Sequence, residues 1–221
     1  MSMRTRYERH LKDLQVKLIG MCHEVEFSIE SAISALVEKD KERAQLVYEN
    51  DHIIDKMEHD IEQECLKLLL MEHPVAGDFK EVSAILKMIT DLERIGDQSA
   101  DICSLIISLD GEYSFKSLGH IPKMAEIALS MVKDSIHSYV LKNDSLLKEI
   151  EQRDDIVDNL FKKVKLELIE YIKTDSNNAD TAIIFMMIAK YLERIGDHAT
   201  NICEWAEYSF TGRRTLSEQK E

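Results

Sequence analysis

Pairs of carboxylates stand four residues apart at four places in this 221-residue chain. At about 100° per residue, the two members of such a pair project only about 40° apart, on one face of a helix. Like charges at this spacing repel by about 0.2–0.5 kcal/mol per pair, so a helix has no intrinsic reason to keep them. Oxygen ligands clustered without Cys or His suit Mg²⁺, Mn²⁺, Ca²⁺ and oxygen-bound iron. The four pairs are Asp51/Asp55, Glu93/Asp97, Asp154/Asp158 and Glu193/Asp197.

The two halves of the chain that contain these pairs repeat each other. The hexapeptide Leu-Glu-Arg-Ile-Gly-Asp occurs at 92–97 and again at 192–197, at an offset of 100 residues. The preceding pairs align at an offset of 103, which places Asp51 against Asp154. Identity in register inside equivalent segments indicates an internal duplication. Each repeat is therefore predicted to bring its two pairs to one groove, and Asp101 extends the acidic stripe of the first repeat, where the second has Asn201.

Long helices must position these residues. Seven glycines and two prolines are too few for the turns of a strand-rich domain. Apolar residues instead recur at spacings of three and four, which predicts amphipathic helices. We therefore predict an all-α protein of two tandem three-helix bundles. The predicted divisions are a first bundle over 4–109, a linker over 110–119, a second bundle over 120–209 and a tail over 210–221.

Local signals predict where several helices begin and end. Asp40 is the predicted N-cap of the second helix, the segment 73–78 breaks that helix, and Asp78 is the predicted N-cap of the third. Gly96 and Gly196 lie inside helices, where Gly costs about 1 kcal/mol relative to Ala, which predicts a close approach by a neighbouring helix. The predicted helices of the second repeat cover 121–141, 144–172 and 180–208.

The charge and hydropathy of the chain exclude several classes of partner. Forty-two Asp and Glu against 28 Lys and Arg give a net charge of −14, so binding to nucleic acid is not expected. The longest apolar run, 182–189, is far shorter than the roughly 20 residues of a membrane span, so no membrane insertion is expected. The first nine residues do not form a signal peptide, and four cysteines without C-x-x-C spacing are typical of buried thiols in a reducing cytoplasm.

Two alternatives to a metal-binding regulator follow from the residues. Glu49-x-x-His52 matches the ligand element of di-iron bundles, which would indicate a ferritin-like carboxylate enzyme. That class needs two such elements, and the second repeat has Gln152 and Asp155 instead. No Ser-His-Asp order or Gly-rich phosphate loop is present, so we predict no enzymatic activity. In the other alternative the acidic stripes are merely solvated, and the chain is a metal-independent helical adaptor.

The combination of motifs resembles the PhoU family, the phosphate-specific transport accessory proteins. The resemblance covers about residues 4–212 and has specific motifs, because both copies of the hexapeptide occur at the spacing of the family. It also rests on the segments that follow the hexapeptides, on the break between the first bundle's helices and on the closing segment. These are 98–102, 198–202, 74–78 and 204–212.

The resemblance implies a fold of two three-helix bundles with metal ions bound by the paired carboxylates. Divalent or trivalent ions are implied, with iron clusters and zinc as the candidates. It also implies a cytoplasmic negative regulator, often a homodimer. Its implied partners are the ATPase of the phosphate ABC transporter and the phosphate-sensing histidine kinase, so that the phosphate regulon is silenced when phosphate is plentiful. Asp101 departs mildly from the family pattern, which more usually has Asn there.

Overall fold

The computed structural model describes residues 3–71, 76–109, 113 and 119–213 of the chain, and every regular element within them is helical. A one-turn 3-10 helix, Ser176–Asn178, precedes the last α-helix. None of the described helices is long and apolar enough to cross a membrane. The α-helices are α1 (Met3–Glu38), α2 (Lys41–Asn50), α3 (His52–Met71), α4 (Ala76–Ser108), α5 (Ile121–Leu141), α6 (Ser145–Thr174) and α7 (Ala179–Thr211).

Most of the predicted helix ends are confirmed. The Asp40 carboxylate accepts a hydrogen bond from the Arg43 backbone N–H at 2.9 Å, as an N-cap does, and α5 has its predicted bounds. The prediction of Asp78 as an N-cap is wrong, because α4 already begins at Ala76. Asp78 lies in the first turn, where its two oxygens accept hydrogen bonds from Arg4 of α1 at 2.7 and 2.9 Å. Of the predicted linker 110–119, all but residues 113 and 119 lies outside the described residues.

The second helix of the first repeat is interrupted, whereas its counterpart in the second repeat is continuous. Asp51 separates α2 from α3, although its backbone keeps helical dihedrals of φ −53° and ψ −38°. At the interruption, the His52 Nδ1 lies 2.7 Å from the backbone carbonyl oxygen of Glu49. The 30-residue helix α6 runs without a break through the equivalent Asp154. The first repeat thus presents its first candidate ligand at a helix junction.

The two repeats share one hydrophobic core. Buried apolar residues from all seven helices form a single cluster. The most extensive contact joins α4 to α7, the two helices that carry the hexapeptides, and α1 packs against α5. The Lys133 ammonium of α5 also pairs with Glu30 and Glu26 of α1 at 3.1 and 3.7 Å. All four cysteines are buried and free, as the sequence predicts.

Candidate metal centre

Three carboxylates of the first repeat converge at the junction of α2, α3 and α4. One oxygen each of Asp51, Asp55 and Asp97 lies within 4.8 Å of the other two. Asp51 and Asp97 are half-buried and Asp55 is exposed, so the trio is open to solvent on one side. Oxygens this close together can bind a single cation at about 2.0–2.6 Å after small rotations of the side chains. Three of the four carboxylates predicted to meet in one groove of this repeat therefore lie together, and the fourth, Glu93, is not among them.

The glycine of each hexapeptide leaves room for a carboxylate from a neighbouring helix. The two glycines are Gly96 in α4 and Gly196 in α7. A Cβ atom on Gly96 would lie 3.0 and 3.1 Å from two methyl groups of Ile54 and 3.5 Å from Asp51 Oδ1. A Cβ atom on Gly196 would lie 3.2 Å from Asp154 Oδ1 and 3.5 Å from a methionine methyl group. The predicted close approach at both glycines is therefore present. The absence of a side chain lets Asp51 lie against the backbone of α4 at Gly96 and Asp154 against the backbone of α7 at Gly196.

The first site is strongly negative. Burial, followed by repulsion from Asp55, Asp97 and Asp101, raises the pKa of Asp51 to about 6. Burial and the neighbouring Asp97 likewise raise the pKa of Glu93 above its ordinary value. One cation of the chain compensates in part, because Arg94 Nη1 donates to Asp97 Oδ2 at 2.9 Å and its Nε lies 3.4 Å from Glu93. A site in which carboxylates disfavour one another's charge is suited to a cation.

Not every predicted residue of the first repeat joins the trio. Glu93 is close enough to influence the pKa values of its neighbours, but it is not among the three converging side chains. Asp101 is exposed, and its charge adds to the effect of burial in raising the pKa of Tyr191 of the other repeat. Sequence reasoning missed Glu58, whose charge adds to the raised pKa of Glu93 after burial and Asp97. Glu58 could have been identified because it lies three residues after Asp55, on the same helix face. The repeat comparison did not indicate it, since the second repeat has no acidic residue at the equivalent position.

The second site has the same carboxylate positions and an additional cation. Although Asp197 has an exposed edge, burial of its carboxylate and repulsion from Glu193 and Asp158 raise its pKa to about 6. Lys190 opposes this shift, pairs with Glu193 and lies 5.7 Å from the centre of the Phe161 ring. Among the described residues, no three carboxylates of this repeat meet the distance that the first trio meets.

Polar contacts join the two hexapeptide helices. His198 Nδ1 lies 2.8 Å from Asp91 Oδ1, and the Asn201 side-chain amide donates to the same oxygen at 3.4 Å. Burial, followed by the charge of Asp101, the counterpart of Asn201, raises the pKa of Tyr191, the counterpart of Asp91. Sequence reasoning gave His198 no role, because its partner lies 107 residues away. The contacts connect the backbone segments that carry the two candidate sites.

The ferritin-like alternative receives no support from this geometry. The converging trio contains no histidine, and His52 is an exposed residue at the α2–α3 junction, with its Nδ1 directed at a backbone carbonyl. A di-iron centre of that class combines Glu and His ligands from four helices of one bundle. The donors brought together here are carboxylates alone. This donor set is typical of hard cations.

A duplicated all-α protein with an acidic site in each repeat is the class that the fold and its carboxylates define. The PhoU domain model matches residues 18–106 and again residues 121–206, one match in each repeat. The chain therefore belongs to the PhoU family. The resemblance of its motifs to that family is confirmed, as is the fold of two tandem helical bundles.

Similar proteins cover nearly the whole chain. It is 36% identical over 209 residues to a phosphate-specific transport system accessory protein PhoU homologue of Clostridium acetobutylicum, covering 94% of this chain and 95% of that protein. The crystal structure of PhoU from Pseudomonas aeruginosa superposes with a TM-score of 0.88 at 31% identity, over 94% of this chain and all of that one. That of the phosphate transport system regulatory protein PhoU from Streptococcus pneumoniae gives 0.87 at 29% identity, over 96% of this chain and all of that one.

Proposed function

We propose that this chain is an accessory protein of phosphate transport that represses the phosphate regulon and phosphate uptake when phosphate is plentiful. The observation that carries the proposal is the PhoU match in both repeats, together with relatives named as accessory proteins of phosphate-specific transport systems. The proposed contacts are with the ATPase of the phosphate ABC transporter and with the phosphate-sensing histidine kinase. Both contacts lie on the cytoplasmic side, so we place the protein in the cytoplasm, as a homodimer without enzymatic activity.

The proposal includes metal binding by the carboxylates. Asp51, Asp55 and Asp97 would hold a cation in the first repeat, because their oxygens already lie within 4.8 Å of one another. The all-oxygen donor set favours Mn²⁺ or iron over zinc, whose structural sites use sulfur and nitrogen. A bound cation would neutralise repulsion at the junction of α2, α3 and α4. In the second repeat a cation would bind less tightly. The counterpart residues there are Asp154, Asp158, Glu193 and Asp197.

Deletion of the encoding gene tests the regulatory part of the proposal. We expect expression of the phosphate regulon to rise in phosphate-rich medium and to fall again when the unmodified protein is supplied. Unchanged expression after deletion would refute the regulatory function. A D51A/D97A variant then tests whether the site serves regulation, with Asp101→Asn as the control, because the second repeat has Asn at that position. Full repression by D51A/D97A would show that regulation does not need metal binding at the first site.

Metal analysis of protein purified without added metal distinguishes the three classes of function. Bound metal without oxidase turnover supports the metal-binding regulator. Stoichiometric iron with oxidase turnover would instead support a ferritin-like enzyme. Protein that contains no metal and does not take up Mn²⁺ or iron would support the metal-independent adaptor.

A further inference from the structure

The first repeat has an exposed apolar groove between α1 and the α2–α3 pair. Three large apolar side chains in it are 63%, 60% and 40% exposed, which is unusual for side chains of this size in one cluster. They are Phe27, Leu46 and Ile53. Along α1 the groove is lined by serines one helical turn apart, Ser28, Ser31 and Ser34. Small side chains in this row would let another chain approach the α1 backbone closely.

In the second repeat, side chains of α5 and α6 fill the place that corresponds to this groove. At the offset of 103, Asn50 corresponds to Arg153, and Phe27 and Ser31 correspond to Ser130 and Asp134. Arg153 of α6 donates to Ser130 Oγ at 3.1 Å and pairs with Asp134 Oδ2 at 2.6 Å, both on α5. An intramolecular bridge therefore spans α5 and α6 where the first repeat has an open apolar groove.

The charges around the groove indicate the chemistry of its occupant. The segment 24–50 carries seven acidic and three basic side chains, and Lys133 of α5 pairs with two of the acidic ones, Glu26 and Glu30. Arg43, which lines the groove, is paired with Glu38 at 2.9 Å and with Asp40 at 3.5 Å. An apolar centre with an acidic surround complements a helix whose apolar stripe is flanked by Lys or Arg. The α1 wall from residue 24 to residue 34 is about 15 Å long, which matches about three turns of such a helix.

We propose that this groove docks one amphipathic helix with basic flanks from a partner protein. The proposal rests on the proposed function only in seeking the partner among the transporter ATPase and the sensor kinase. Two groove residues, Ile53 and Ile54, lie two and three residues after Asp51, and Ile54 also packs against Gly96. A helix docked here contacts the segment that positions the carboxylate trio.

Site-specific photo-crosslinking in phosphate-rich cells tests the proposal. p-Benzoylphenylalanine replaces Phe27 in one variant and Leu166 in the control, because Leu166 is 64% exposed but lies on α6, outside the groove. We expect an adduct at position 27 only, mapped by mass spectrometry to a Lys- or Arg-flanked amphipathic helix of the ATPase or kinase. An adduct with a second copy of this chain, an adduct with an acidic or extended segment, equal yields at both positions or no adduct would each overturn it.

Closing the groove separates this proposal from the proposed function. The triple variant F27S/S31D/N50R transfers the bridge of the second repeat into the first. Circular dichroism and thermal unfolding verify that it folds. We expect co-purification of the partner with the triple variant to fall at least tenfold relative to the unmodified protein. If the triple variant and the unmodified protein retain the partner equally, the groove proposal fails while the proposed function stands. If the unmodified protein retains neither ATPase nor kinase, the proposed function fails.

Discussion

The two repeats carry their carboxylates at equivalent positions in the sequence but surround them with different charges. Beside Glu93 the first repeat has Thr90 and Glu58, whereas the second repeat has Lys190 and Phe161 at the equivalent positions. Because Thr90 stands against Lys190 and Glu58 against Phe161, the formal charge of the first site is more negative than that of the second by two. Duplication thus preserved the sequence positions of the carboxylates, while their spacing in the structure and the neighbouring residues diverged. We expect the first site to bind cations more tightly than the second.

The largest expected effect comes from removal of the ligands themselves. D51A/D97A should lower the affinity for Mn²⁺ at the first site by at least about 100-fold, because loss of even an outer-shell partner costs 10–100-fold. D154A/D197A should leave the tightest binding step unchanged and remove a weaker one. Isothermal titration calorimetry measures both steps. Loss of the tight step in D154A/D197A would reverse the assigned order of the two sites.

Exchange of the neighbouring charges should move the two affinities toward each other. Thr90→Lys adds to the first site the cation that Lys190 supplies to the second, and Lys190→Thr removes it there. A unit charge at 4 Å is worth about 1 kcal/mol in water and about 4 at an effective dielectric of 20, so we expect roughly a tenfold change in each affinity at these partly exposed sites. Titrations in 0.05 and 0.5 M salt check the electrostatic origin, since salt should shrink the change.

The glycines should differ in their tolerance of a methyl group. Gly96→Ala brings Cβ to 3.0 Å from Ile54, and the resulting strain of about 1–3 kcal/mol outweighs a gain in helix propensity of about 1 kcal/mol. Gly196→Ala meets the carboxylate of Asp154 at 3.2 Å and a flexible Met131 methyl at 3.5 Å, so it should be nearer neutral. Calorimetry should give a melting temperature about 2–4 °C lower for Gly96→Ala. Equal shifts for both would contradict the different packing.

The smallest expected effect is on the pH dependence of the stability of the metal-free protein. Because the pKa of Asp51 is raised from 3.8 to about 6, the folded state binds more protons than the unfolded state between these values, and stability rises as the pH falls through this window. Asp51→Asn cannot titrate, so it should be more stable than the unmodified protein at pH 7.5 and lose most of that advantage at pH 4.5. Urea unfolding with a chelator at the two pH values measures this. A larger advantage at pH 4.5 would contradict the raised pKa.

The fold was predictable because its signals are local or repeated. Apolar spacing and the scarcity of Gly and Pro predict the helices, and identity at an offset of 100 predicts the duplication. Asp78 was assigned wrongly because its partner, Arg4, is 74 residues away and competes with the backbone N–H groups for its carboxylate. The interruption at Asp51 was likewise not predicted, since the apolar pattern continues through it.

The site was predictable only in part. The four pairs and the two glycines could be identified from their spacing, because both depend on a helix face. The difference between the sites depends instead on residues without matching counterparts. Glu58 and Lys190 reach the sites from positions at which the other repeat has an uncharged residue. The Asp91–His198 contact required the packing of α4 on α7, which no local pattern predicts.

Anomalous scattering from crystals grown with one equivalent of Mn²⁺ tests the inequality of the two sites most directly. Because the first site lacks the counterpart of Lys190 and has Glu58 in addition, the anomalous peak should lie among Asp51, Asp55 and Asp97. The site formed by Asp154, Asp158, Glu193 and Asp197 should fill only when further metal is added. Equal peaks at both sites, or a first peak at the second site, would contradict the inequality that we infer from the neighbouring charges.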